Sequence, residues 1–214
     1  MEVHPFPKTT GGRRKPTQAR AIASRAAIVD GAKHLLSDQG VAEFSMRKLA
    51  QTSGVGLGTI YDYFPSWTDI VRVLLEERFA LRREILALTL KDISSEDGLA
   101  VFVPAYLKRL SRKGFWQRYD SQLRAAAYAE PALAQLFESQ EDQIAQSYVK
   151  EMRHAGSKWA DAALLQMAQA NMSVSQMLAE NTDRKPEEQD LQLIMVANMI
   201  LANLKMALRP LKTN

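Results

Sequence analysis

The residues whose types and spacing carry the clearest chemistry lie between Ser45 and Phe64, in the run Ser-Met-Arg-Lys-Leu-Ala-Gln-Thr-Ser-Gly-Val-Gly-Leu-Gly-Thr-Ile-Tyr-Asp-Tyr-Phe. Ser45 is a strong helix N-cap, because its hydroxyl accepts from a free backbone N–H. Met46, Leu49 and Ala50 then share one face of a short helix, with Ala50 small enough for another helix to cross closely. Gly54 stands where the chain must leave that helix, which predicts a positive φ. Val55 is expected to bury in the turn. Ile60 and Phe64, at i and i+4, point inward from the next helix and leave Thr59, Tyr61 and Tyr63 on its outer face. Two short helices so joined form a helix-turn-helix, whose second helix enters the major groove of DNA.

Catalytic chemistry finds no comparable constellation. Gly54-x-Gly56-x-Gly58 lacks the GxGxxG spacing of a dinucleotide loop and follows a helix rather than a strand. His4, His34 and His154 are scattered, with no partner at metal-ligand spacing. No P-loop, HExxH or GxSxG motif occurs. Cysteine is absent, which excludes disulfides, a cysteine zinc site, an iron–sulfur cluster and a cysteine nucleophile. The chain is therefore expected not to be an enzyme and to need no cofactor and no metal.

The elements that position the motif are helical throughout. Ile28, Ala32 and Leu35 define the inner face of a first helix, joined by Ile22, Ala26 and Val29, and Gly40 ends it. Short helices over 46–52 and 57–63 follow, and Ser66 caps a longer one running to about Leu90. Ser94 and Ser95 with Glu96 and Asp97 open the next, in which Pro104 predicts a kink or the true start. Further helices are expected over 115–129, from Pro131 to near Gly156, over 159–181 and over 187–208. No alternating β-branched run survives, so the fold class is all-α with about nine helices.

Composition agrees with a globular protein: 214 residues, 46% hydrophobic and 24% charged. The charge is unevenly placed. Residues 1–67 hold nine Lys/Arg against five Asp/Glu, whereas the rest is balanced. Most of the excess falls between Lys8 and Arg25, which suggests a polyanionic partner for this end. Residues 1–19 read as a disordered basic arm, 20–66 as the helix-turn-helix domain and 67–214 as a second helical domain. The N-terminal residues lack a signal-peptide apolar core. The uncharged stretches at 162–179 and 191–204 are polar-studded and short respectively, so no membrane span is expected. The expected location is cytoplasmic.

Phe44-Ser-Met-Arg-Lys-Leu-Ala, Ser53-Gly-Val and Gly58-Thr-Ile-Tyr-Asp-Tyr-Phe-Pro resemble the DNA-binding domain of the tetracycline-repressor (TetR) family. So does the preceding helix from Ala26 to Gly40. The resemblance covers roughly residues 25–79. It implies a homodimeric all-α transcription regulator, usually a repressor, released from a near-palindromic operator by a small ligand held in the C-terminal domain. By the same resemblance Ser45 and Arg47 contact phosphate or a base. Gly58 and Thr59 let the recognition helix approach, and Tyr61 and Tyr63 bind phosphate. Two positions depart from the family. Gly56-Leu57 replaces a frequent polar pair, so Leu57 suits a thymine methyl. Trp67 replaces a common lysine, leaving only an indole N–H as donor. Arg13, Arg14 and Lys15, with Arg20 and Arg25, are expected to reach phosphate or the minor groove.

Two features outside the motif carry expectations. Seven of sixteen aromatic residues fall between Phe102 and Phe137. Phe102, Tyr106, Trp116, Tyr119 and Phe137, with Gln122 and Asn171 as polar handles, are expected to line a pocket for a small apolar or aromatic compound. The last helix is apolar on nearly all sides. Val196, Ile200 and Leu204 belong to one stripe. Ile194, Met195, Asn198, Leu201 and Ala202, with Leu178 from the preceding helix, are expected to meet a second copy. Such a homodimer would set two recognition helices about 34 Å apart on successive major grooves of double-stranded DNA. The competing readings are a DNA-binding regulator without a small ligand, and a helical enzyme or scaffold.

Overall fold

The computed structural model describes residues 14–89, 96–112, 118–176 and 185–209. Among these residues there are nine α-helices, one 3-10 turn and no strand, so the fold class is all-α as expected. The helices are α1 (Arg14–Gln39), α2 (Met46–Ser53), α3 (Leu57–Tyr63), α4 (Trp67–Thr89), α5 (Glu96–Arg112), α6 (Arg118–Tyr128), α7 (Pro131–His154), α8 (Asp161–Gln176) and α9 (Pro186–Leu208). The 3-10 turn Val41–Glu43 joins α1 to α2.

α1 begins earlier than the sequence pattern suggested. Residues 14–19, assigned to a disordered arm, form its first turns. Pro16 suits a first turn, where its missing N–H would have had no partner. The inner face starts later than expected. Ile28, Val29, Ala32, Leu35 and Leu36 are buried, but Ile22 is 65% exposed and Ala26 is also exposed. α1 and α2 cross closely at Gly31. A Cβ on Gly31 would sit 2.8 Å from Ser53 Cβ.

α4 links this three-helix unit to the remainder. Its start is fixed by a reciprocal cap. Asp69 N donates to Ser66 Oγ at 3.3 Å, and Ser66 N donates to Asp69 Oδ2 at 2.9 Å. Ile70, Val71, Leu74, Leu75, Phe79, Ile85 and Leu86 bury one face of it. α4 packs against α1, α5, α6 and α7. Lys33 on α1 and Glu77 on α4 add an ion pair at 2.9 Å.

The same buried face carries two arginines. Arg78 and Arg82 are 5% and 3% exposed. Arg78 donates Nε to Asp120 Oδ1 at 2.5 Å and Nη2 to Asp120 Oδ2 at 3.0 Å. Arg82 Nη1 reaches Glu141 Oε1 at 2.7 Å. The Arg78 guanidinium also lies over the rings of Phe79 and Phe137, 5.2 and 5.6 Å from their centroids. Burial raises the Asp120 carboxyl above its ordinary range, with Arg78 pulling the other way.

α5 runs through Pro104, which is therefore not its start. Leu99, Phe102, Val103, Tyr106 and Leu107 are all buried on either side of the proline, and this packing carries the helix across the lost hydrogen bond. Pro131 takes the first turn of α7, and Gly156 follows its end with φ 90°. Ser157 Oγ then donates to Ala207 O at 2.6 Å, which ties this turn to the end of α9.

Asp120→Ala should cost about 3–5 kcal/mol of unfolding free energy, because it strands a buried guanidinium. Urea unfolding followed by circular dichroism measures this. A loss below about 1 kcal/mol, the value of an exposed pair, would contradict the assigned burial.

Candidate nucleic-acid interface

Local geometry builds the motif as its residues demand. Ser45 is extended (φ −149°, ψ 152°), and its Oγ accepts from Lys48 N at 3.2 Å. This leaves the hydroxyl proton free to donate outward. Gly54 has φ 69°, and its N–H donates to Ala50 O at 3.1 Å, closing α2 with a left-handed cap. Val55 is only half-buried in the turn. α3 then seats Ile60, fully buried, with Phe64 buried just beyond its end. Leu49 of α2 is buried with them.

The opposite face of α3 is open. Leu57 is 36% and Tyr61 48% exposed, and Gly58 and Thr59 are exposed as well. Ser45 and Arg47 are exposed at the start of α2. The structure thus places Ser45, Arg47, Leu57, Gly58, Thr59 and Tyr61 on accessible parts of the two short helices. Tyr63 departs from the expected outer face: it is half-buried and packs on the core. Trp67 departs further. Its indole is half-buried and lies 6.4 Å from the Phe44 ring, so it serves as apolar cover where a lysine would stay in solvent. Arg25 is likewise not a free arm residue, because its guanidinium lies 5.6 Å from the Phe64 ring centroid. Arg14 and Lys15 fall in the first turn of α1, and Arg13 lies outside the described residues.

Lys48 was missed by the sequence reading, although it adjoins Arg47 in the same first turn. Its Nζ lies 2.5 Å from Glu43 Oε2, and this bond holds the Glu43 carboxyl below its usual range.

Residues 28–74 match the model of the bacterial regulatory proteins, tetR family. Across these residues the chain is similar to the N-terminal domain of that family. No curated protein matches the chain. Among solved structures, a TetR-family regulator from Syntrophomonas wolfei is 16% identical with a TM-score of 0.65. The match covers 89% of this chain and 98% of that one. FadR from Bacillus subtilis, solved with stearoyl-CoA, is 17% identical with a TM-score of 0.64, covering 84% and 97%. LfrR from Mycobacterium smegmatis, solved with proflavine, is 21% identical with a TM-score of 0.53, covering 90% and 99%. The tetR-type fold therefore extends well beyond the DNA-binding domain.

In this tetR-type chain the expected single pocket is divided. Phe102, Tyr106 and Asn171 line a nearly closed chamber of about 10 Å³ with Tyr148, Met172 and Ile200. Phe137 instead lines an open cleft of about 340 Å³ with Arg124, Tyr128, Glu138, Glu141 and Asp142. Met172 borders both. Asn171 is already engaged, since its Oδ1 accepts from Asn203 Nδ2 at 2.7 Å. Tyr119 lies half-buried beside Asp120, and its hydroxyl is pushed up to about 12, first by burial and then by that carboxylate. Gln122 lines neither cavity. Its Oε1 accepts from Val41 N at 3.0 Å, so α6 grips the turn just before α2. A polar residue facing a turn and one facing a ligand look alike in sequence. Trp116 lies outside the described residues.

α9 shows the two stripes. Val196, Ile200 and Leu204 are buried within the chain. Leu191, Ile194, Met195, Met199 and Met206 are each more than half exposed. Asn198 and Ala202 are exposed beside them, Leu201 is half-buried, and Leu178 lies outside the described residues. By length and composition Glu187–Leu208 would also qualify as a membrane span, but one side of it packs on α5 and α8.

Ser45→Ala should cost about 1 kcal/mol through the lost cap. Gly54→Ala should cost about 1–2 kcal/mol through left-handed strain. Thermal unfolding checks both, and an unchanged midpoint for Gly54→Ala would refute the left-handed cap.

Proposed function

We propose that this protein is a cytoplasmic, homodimeric transcription regulator, most simply a repressor, that binds a near-palindromic operator through α3 and is released by a small effector. The observation that carries the reading is the two-sided character of α3. Ile60 anchors the helix in the core, while Leu57, Gly58, Thr59 and Tyr61 face solvent. Thr59, Tyr61, Ser45 and Arg47 supply phosphate or base donors, and Leu57 supplies an apolar contact for a thymine methyl. Gly58 supports this in a further way. A Cβ built there meets nothing within 4 Å, so the chain's own packing does not require glycine. Close approach to a groove does.

Dimerisation rests on α9. Leu191, Met195, Met199, Ala202 and Met206 recur at three- and four-residue steps along one exposed face, with Ile194 beside them, and a continuous apolar stripe of this kind marks a contact surface. A second copy covering it explains an apolar helix that packs on one side only. Release follows from α4, which runs from the DNA-binding helices to α5, α6 and α7, helices that line the two cavities. A ligand that favours one setting of α4 changes the spacing of the two recognition helices. Operator DNA then weakens ligand binding by the same factor. FadR was solved with stearoyl-CoA and LfrR with proflavine, which supports a small-molecule ligand for a protein of this fold. The tightness of the inner chamber favours the second reading, a regulator without a small ligand.

Selection of genomic DNA fragments, followed by footprinting across a salt series, tests the proposal. A protected near-palindrome is expected, with affinity falling steeply as salt rises. Binding blind to sequence would refute the role of α3. Gly58→Ala separates function from folding. It should stabilise the protein by up to about 1 kcal/mol, since alanine favours helix, while weakening operator binding. Equal operator affinity would contradict close groove approach. Ile194→Asp combined with Met195→Lys should yield monomers by light scattering, and persistent dimers would refute the α9 interface.

A further inference from the structure

The open cleft has a definite chemical character. Glu138 and Asp142 are exposed at its wall, Glu141 is partly buried deeper in, and Arg124 is the one cation among its lining residues. Arg124 Nη1 is occupied with Gln176 Oε1 at 2.5 Å. Tyr128 and Phe137 add aromatic surface, their rings 5.5 Å apart. The negative field is felt locally, because Glu138 and Glu141 add to burial in raising the Tyr128 hydroxyl. Carboxylates beside aromatic faces suit a positive charge carried on an apolar body. At about 340 Å³ the cleft accommodates an organic cation rather than a bare ion.

Glu141 gives the cleft a route to α4. Its Oε1 is the partner of Arg82, while the residue also borders the cleft. Phe137 has a similar double role, with the Phe79 ring 5.3 Å away. Behind Met172 lies the inner chamber. It is lined by Tyr106, a residue 5% exposed whose hydroxyl interacts with Tyr148 and Arg82. Met172, unbranched and adaptable, is a wall that chamber and cleft share.

We propose that the cleft between α6, α7 and α8 is the effector site, that it takes a hydrophobic organic cation, and that this cation replaces Arg82 as the partner of Glu141. The proposal rests on the regulator reading above and specifies its ligand class and its switch. The incoming charge loosens the α4–α7 ion pair, and the apolar body lies against Tyr128 and Phe137 and displaces Met172 toward the inner chamber.

The test uses the full-length protein without DNA, so failure to find an operator does not enter it. Tetraphenylphosphonium and tetraphenylborate share size and shape and differ in the sign of their charge. In calorimetric titrations the phosphonium should bind and the borate should not. Glu138→Gln with Asp142→Asn removes two exposed charges outside the buried network, and should weaken phosphonium binding about tenfold. Hydrogen exchange at saturation should show faster exchange along residues 78–86 of α4. No phosphonium binding, equal binding of both ions, or unchanged affinity in the double variant would overturn the cation site. Binding with unaltered exchange in α4 would overturn the replacement of Arg82.

Discussion

Two arginines buried on one helix set the constraint on which the rest of the structure depends. Arg78 and Arg82 cannot shed their charge, so α4 can be buried only where carboxylates meet them. Asp120 of α6 and Glu141 of α7 do so. The register of three helices is thereby fixed by charge geometry, not by apolar packing alone, which tolerates sliding. α4 also begins at the cap beside α3, so a single helix links this charge network to the helix-turn-helix unit.

A second tie runs through α6. Gln122 holds the turn after α1, while Arg124 and Tyr128 of the same helix face the cleft. The helix-turn-helix unit is therefore held by α4 and by α6, which packs along α1 and bonds the turn before α2. Both grips lead to the walls of one cleft, which gives a physical route between the two ends of the chain.

The DNA-binding motif was legible because each of its positions is a local decision. Ser45 caps, Gly54 turns, and Ile60 and Phe64 anchor, all within twenty residues. Helix existence elsewhere was legible from periodicity, and Pro131 and Gly156 marked ends correctly. What was not legible depends on distant partners. Gln122 read as a ligand handle because nothing local shows that Val41 lies across from it. Trp67 read as a phosphate donor because its packing on Phe44 is a tertiary fact. The aromatic cluster read as one pocket, whereas helix placement sends Phe102 and Tyr106 to one cavity and Phe137 to another. The start of α1 was missed because Pro16 in a basic segment resembles an arm as much as a first turn.

The exposed face of α9 is rich in methionine: Met195, Met199 and Met206 stand among Leu191 and Ile194. Branched side chains interlock and resist shear, whereas thioether chains re-seat at little cost. In the dimer proposed above, a seam built this way would act as a bearing, along which the two copies pivot against each other and stay in apolar contact. The spacing of whatever they carry at their far ends then becomes adjustable without the pair ever coming apart.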